Sequence, residues 1–151
     1  MTARGAQPLF VDTGAFYAGL KPDDDDHEAA RAVFERIRSG DLPYRPVYTS
    51  RYVLSELATL TLYNVGHSEA VEALATIRGS DTFNILSVDE PTFTATCDQL
   101  AQYDDQEISF VDHLGGVLAR EHDVDRVFAF DSDFRTLGFT VVPEDTGKGE
   151  R

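Results

Sequence analysis

Leu9-Phe10-Val11-Asp12-Thr13-Gly14-Ala15-Phe16 is a three-residue apolar run that stops at Asp-Thr-Gly. Such a run reads as a buried strand entering a turn or helix start. Residues 15–20 continue as a short helix. Lys21-Pro22 and four consecutive aspartates, Asp23 to Asp26, then force a loop. Residues 27–39 read as a helix with Ala30, Val33, Phe34 and Ile37 on one face, ended by Gly40.

The alternation continues down the chain. Residues 46–49 form a second strand, and Ser50 caps a long helix through Asn64 carrying Val53, Leu54, Leu57, Leu60 and Leu62. Gly66 stops it. A helix over 68–78 aligns Val71, Leu74 and Ile77. Residues 84–88 are a third strand, and Asp89-Glu90-Pro91 starts a helix bearing Phe93, Leu100 and Tyr103. Ser109 opens the next helix, with Asp112 three residues on as a capping-box-like partner. Residues 127–130 are a fourth strand, 134–137 a helical turn and 140–142 a fifth strand. The order β-α-α-β-α-α-β-α-α-β-α-β implies an α/β sandwich around a mainly parallel five-stranded sheet. No repeat or linker divides the 151 residues, so residues 1–145 read as one domain and 146–151 as a polar tail.

Composition excludes several classes. The chain is 42% hydrophobic, a globular and not a disordered balance. Its one cysteine, Cys97, rules out an intrachain disulfide framework or a cysteine-rich zinc site. No apolar run is long enough to cross a membrane, and the first eight residues lack an apolar signal core, so a cytoplasmic location is expected. Thirteen basic residues against 27 acidic ones give a net charge of −14. That argues against generic nucleic-acid coating, which depends on cationic side chains. Only Lys21 and Lys148 are lysines, a pattern suited to molar salt, where the Debye length shrinks to about 3 Å. A halophilic protein is therefore expected.

The acids fall at particular places on this map. Asp12 follows the first strand and Asp131 the fourth, where open parallel sheets carry functional groups. Glu56 and Asp112 lie in Val53-Leu54-Ser55-Glu56-Leu57 and Phe110-Val111-Asp112-His113-Leu114. A carboxylate among core-forming residues needs a cation, several donors or a metal. Each also has a local explanation: Asp12 as a helix cap, Asp112 as the partner of Ser109, Asp131 and Asp133 as caps before Phe134, Glu56 as a surface position. Local roles account less well for several such acids together.

Four segments, in this order, resemble the motifs of PIN domains. They are Phe10-Val11-Asp12-Thr13-Gly14-Ala15-Phe16, Val53-Leu54-Ser55-Glu56-Leu57, Ile108-Ser109-Phe110-Val111-Asp112 and Phe128-Ala129-Phe130-Asp131-Ser132-Asp133-Phe134. The resemblance runs from Leu9 to about Val142. It implies a three-layer α/β/α fold and a metal-dependent ribonuclease, as in the VapC toxins of toxin–antitoxin pairs. Carried over residue by residue, Asp12, Glu56, Asp112 and Asp131 become the catalytic acids and metal ligands. Asp133 is a fifth ligand, and Thr13 and Ser109 are hydroxyls that hold carboxylates in place. RNA is then the substrate, an antitoxin an expected partner at the active-site groove, and a homodimer the expected assembly. His113 and Gly115-Gly116 depart from the small, often alanine-containing stretch that usually follows the third aspartate.

The chemistry is coherent. Converging carboxylates repel one another unless a cation intervenes. All-oxygen ligands suit Mg²⁺ or Mn²⁺ better than zinc. Arg51, Arg120 and Arg135 are candidates for phosphate contacts. Two other readings remain. Asp131-Ser132-Asp133 has the spacing of an aspartyl-phosphate phosphatase, although that nucleophile would be expected after the first strand. A non-catalytic PIN-like scaffold is the other.

Overall fold

The computed structural model describes residues 5–147. Residues 148–151 of the expected tail lie outside the described residues, as do residues 1–4. The elements are β1 (Gln7–Val11), α1 (Thr13–Leu20), α2 (His27–Ser39), β2 (Tyr44–Ser50), α3 (Arg51–Asn64), α4 (His67–Gly79), β3 (Phe83–Leu86), α5 (Glu90–Gln102), α6 (Phe110–Glu121), β4 (Arg126–Phe128), α7 (Asp133–Thr136) and β5 (Thr140–Val142). This is the order expected from the sequence. Among the described residues, no helix is long and apolar enough to cross a membrane.

All four strand pairings are parallel, in the order β3-β2-β1-β4-β5. The chain builds outward from β1 in one direction through β2 to β3. It then returns to the other side of β1 for β4 and β5. Neighbouring loops therefore part company between β1 and β4, which opens a crevice at the carboxyl edge. Asp12 N–H bonds to the Phe128 carbonyl there at 3.0 Å, locking the exits of the two strands together.

Side-chain alternation assigns the two faces. Phe10 pairs with Val127 and Val11 with Phe128. On one face, Phe34 of α2 packs against Phe128, with Phe16 and Phe83 around it. On the other, α6 lies on Phe10. Hydroxyl and carboxyl caps start the helices: Ser50 Oγ accepts from Val53 N–H, Asp89 from Thr92 N–H and Ser109 Oγ from Asp112 N–H. Gly40 ends α2 with φ of 90°, a left-handed turn that glycine adopts freely. Several bounds differ from the sequence reading. Tyr103 caps α5 at its C-terminus instead of lying within it, Ser87 and Val88 fall outside β3, and Ala129 and Phe130 fall outside β4. The first follows because Gln106 N–H bonds to the Tyr103 carbonyl in a turn that the helix cannot continue through.

Gly115 and Gly116 are explained by packing. A Cβ at Gly115 would stand 3.0 Å from the Phe10 ring, and one at Gly116 3.2 Å from Phe139. Helix α6 can thus lie close to the sheet only where it lacks side chains. Gly115→Val should destabilise the fold by about 1–3 kcal/mol through overpacking. Gly79→Ala, with nothing within 4 Å, should be neutral or mildly stabilising in the same urea melts.

Candidate active site

Each acid of the site reaches the β1/β4 crevice on a different support. Asp12 is the N-cap of α1, and its Oδ2 accepts from Gly14 N–H at 3.3 Å. Asp112 lies in the first turn of α6, whose N-cap is Ser109. Its carboxyl group is engaged with Asp12. The capping box is therefore only half made: Ser109 caps Asp112 N–H, while the Asp112 carboxyl turns toward Asp12. Asp131 lies just past β4, and its Oδ1 accepts from Asp133 N–H at 3.0 Å. Glu56 is half-buried on α3, and its charge acts on both Asp112 and Asp131.

Asp112, Asp131 and Asp133 each offer an oxygen, and these oxygens lie within 4.8 Å of one another. Burial deepens inward: Asp131 is exposed, Asp133 intermediate, Asp112 8% exposed and Asp12 3%. The electrostatic consequence is large. Burial raises Asp12 to about 7, helped by the nearby charge of Asp131. Burial, then the charges of Asp12 and Asp131, raises Asp112 to about 9. Asp131 is also raised, chiefly by loss of water around its carboxyl group, although the residue as a whole is exposed. Without a cation, Asp12 and Asp112 share a proton between them. A hard divalent cation fits this donor set: several carboxylate oxygens, no soft ligand, and negative charge in excess of what the site can hold.

The remaining candidates occupy varied positions. Thr13 is buried, and its Oγ1 has no hydrogen-bond partner among the described residues. Ser109 Oγ acts on the α6 backbone. His113 is fully buried against α5, with Gln99 Nε2 donating to Nδ1 at 2.9 Å and the Tyr103 ring beside it. Burial lowers its pKa, which suits a neutral packing role. Nothing in the sequence signalled Gln99, because the contact crosses between two helices. Arg120 lies over the Phe139 ring and donates to the Leu137 and Gly138 carbonyls. Arg135 is tied to Asp145 and Glu144. Both are committed to structure. Among the described residues, Arg51 Nε donates to Ser87 Oγ. A cavity of about 540 Å³ is lined by none of these acids but by residues that include Phe16, Phe34, Val65, Ile77 and Phe83.

The raised acids fix a pH dependence. The folded, metal-free protein keeps protons that an unfolded aspartate, at 3.8, has already released. Their contribution to stability is therefore greatest below about pH 4 and declines as pH rises through 7 and 9. In EDTA, the melting temperature should fall between pH 5 and pH 9. Millimolar Mn²⁺ should raise it and flatten the slope, because the ion takes the place of the shared proton. A pH-independent melt in EDTA would contradict this arrangement of charges.

Comparisons with known proteins agree with this geometry. The PIN domain family profile matches residues 9–140. VapC20 of Mycobacterium tuberculosis, described as a 23S rRNA-specific endonuclease, is 34% identical over 134 residues, covering 89% of this chain and 97% of that protein. Its crystal structure, described as that of a sarcin–ricin loop cleaving toxin, superposes with a TM-score of 0.76 at 32% identity, covering 87% of this chain and 95% of that one. VapBC2 of Rickettsia felis, solved with a promoter DNA fragment, shares the fold at a TM-score of 0.63 and 12% identity, over 89% and 97% of the two chains. On the matched motifs and on this likeness, which runs nearly end to end, the chain belongs to the PIN domain family.

Proposed function

We propose that this protein is a metal-dependent endoribonuclease, the VapC-like toxin of a toxin–antitoxin pair, and that it cleaves a structured ribosomal RNA. One observation carries the reading: Asp112, Asp131 and Asp133 bring oxygens within 4.8 Å of one another beside Asp12 and Glu56, at the sheet's switch point. VapC20 is named for 23S rRNA and the sarcin–ricin loop, so that loop is the first substrate to test.

The acid cluster would hold Mg²⁺ or Mn²⁺. When bound, such an ion activates water and neutralises charge at phosphorus in an in-line displacement. The chain's own residues do the rest. Asp12 and Asp112, fixed at the N-termini of α1 and α6, orient the deepest oxygens. Asp131 and Asp133, nearer solvent, bound the side where RNA enters. Glu56, half-buried on α3, orients the attacking water. Thr13, with a free buried hydroxyl, steadies the Asp12 carboxylate once the shared proton leaves. The products carry 5′-phosphate and 3′-hydroxyl ends.

The D-x-D spacing of Asp131 and Asp133 is compatible with this reading, since both acids join the Asp112 cluster. A scaffold would have little reason to keep four acids crowded at one edge. The site would be covered by an antitoxin, with an arginine from that partner against the acids. A cytoplasmic location and a saline interior fit the acidic composition. Exposed Leu62, Tyr63 and Val71 on α3 and α4 offer a homodimer surface.

The test is cleavage of a labelled sarcin–ricin hairpin in molar KCl with Mn²⁺, Mg²⁺ or EDTA. Cleavage should require the metal and fall at least about 100-fold in Asp12→Asn and Asp112→Asn. Cleavage that persists in EDTA, or in both variants, would refute the reading. So would an intact hairpin and intact total rRNA after incubation with a metal-stabilised protein.

A further inference from the structure

Three aromatic rings lead away from the acids at the carboxyl edge of the sheet. Tyr52 follows β2, the strand beside β1, and stands one turn before Glu56 on the same face of α3. Glu56 is the residue of that face whose charge acts on Asp112 and Asp131. The Tyr52 ring meets that of Phe110 at 6.1 Å between centroids, and Phe110 meets Phe93 at 5.2 Å. Phe110 opens α6 two residues before Asp112, and Phe93 lies near the start of α5, the helix that follows β3. Two separate elements, α3 and α6, thus each carry both a ring of this strip and an acid of the site.

The rings keep surface that the core does not use. Tyr52 and Phe110 pack against the core yet stay partly exposed. Phe93 is 37% exposed, the one exposed phenylalanine of ten. Neighbouring planes are tilted by 40° and 48°, so the three rings form a stepped strip and not a closed stack. An aromatic face holds a nucleobase by stacking, whichever base it is and without need of charge. That matters in a chain where 13 basic residues stand against 27 acidic ones, and where salt weakens each phosphate contact. Bases in a paired stem are stacked on one another, and only unpaired bases offer a free face.

We propose that Tyr52, Phe110 and Phe93 form a stacking platform for unpaired bases of the RNA beside the scissile phosphate. The acids hold the bond to be cut, and the rings hold the looped strand that leads to it. Tyr63, on the surface offered to a second copy, lies three turns farther along α3, about 16 Å away, and is separate from the strip. The proposal rests on the ribonuclease reading and adds to it a surface that selects looped over paired RNA.

The chain has no tryptophan, so Phe93→Trp sets a single indole in the strip. Combined with Asp12→Asn to suppress cleavage, it is titrated in Mn²⁺ with the same hairpin and with a fully paired RNA duplex. The hairpin should quench the indole fluorescence to saturation, and the duplex should leave it unchanged. In the cleavage assay, Phe93→Ala and Tyr52→Leu should each raise KM about tenfold with kcat little changed, because neither touches the reacting atoms. Tyr52→Phe, which keeps the ring, should recover most of what Tyr52→Leu loses. Leu100→Ala, on the same helix as Phe93 and as exposed, is the control and should behave as the parent. Thermal melts confirm that each variant is folded. Parental KM in both ring variants overturns the proposal, and so does an indole that the hairpin leaves unquenched. Parental KM together with loss of a dimer in Phe93→Ala also overturns it, because a second copy of the chain would then cover the ring. A parent that fails to cleave in a metal-dependent way removes the ribonuclease reading first, which separates the two failures.

Discussion

Mutual repulsion among Asp12, Asp112, Asp131 and Glu56 is the constraint to which the rest of the structure answers. Like charges this close, at the mouth of a buried crevice, cannot all stay ionised without a counter-charge. The raised values of Asp12 and Asp112 reflect burial first and that conflict second. It is met first by backbone. Asp12 sits at the N-terminus of α1 and Asp112 in the first turn of α6, where unpaired N–H groups and the helix dipole favour negative charge. Asp131 takes the Asp133 N–H. These contacts lower the cost of the cluster without removing it, and the remaining deficit is one that a divalent cation would fill.

The fold serves this arrangement through its strand order. A sheet that grew in one direction only would carry its loops past one another without opening a crevice. Reversing at β1 places the exits of β1 and β4 side by side, joined by the bond from Asp12 N–H to Phe128. Helix α6 must then lie close enough for Asp112 to reach Asp12. Gly115 and Gly116 permit that approach, since Phe10 and Phe139 occupy the space that side chains would need. Glycine in a helix costs about 1 kcal/mol against alanine, and here the cost is offset by proximity.

Much of this was legible because the signals were local. The apolar run stopping at Asp12, the Ser50 cap and the Ser109 cap are each contained within a few residues, and the element order follows from them. Pairings between distant segments were not legible. Asp112 as the capping-box-like partner of Ser109 was a sound local reading. Only the Ser109 half forms, because the Asp112 carboxyl is engaged with Asp12. His113 could not be placed from its neighbours either, since its partners Gln99 and Tyr103 come from α5. Arg78 carried no signal at all. It reads as an ordinary helix-end arginine until the α3–α4 hairpin sets it across from Arg51.

Net charge then takes on a different meaning. A chain of −14 ought to repel RNA, and a uniform acidic surface would do so at low salt. Distribution matters more than the total. Several of the chain's cations are spent on acids or aromatic rings: Arg38 on Glu35, Arg120 on Phe139, Arg135 on Asp145. Arg51 and Arg78 have no carboxylate partner among the described residues. Salt screens the diffuse repulsion over a Debye length, while close guanidinium–phosphate contacts in a partly enclosed pocket are screened less. At molar salt such screening lets an acidic chain meet an anionic partner.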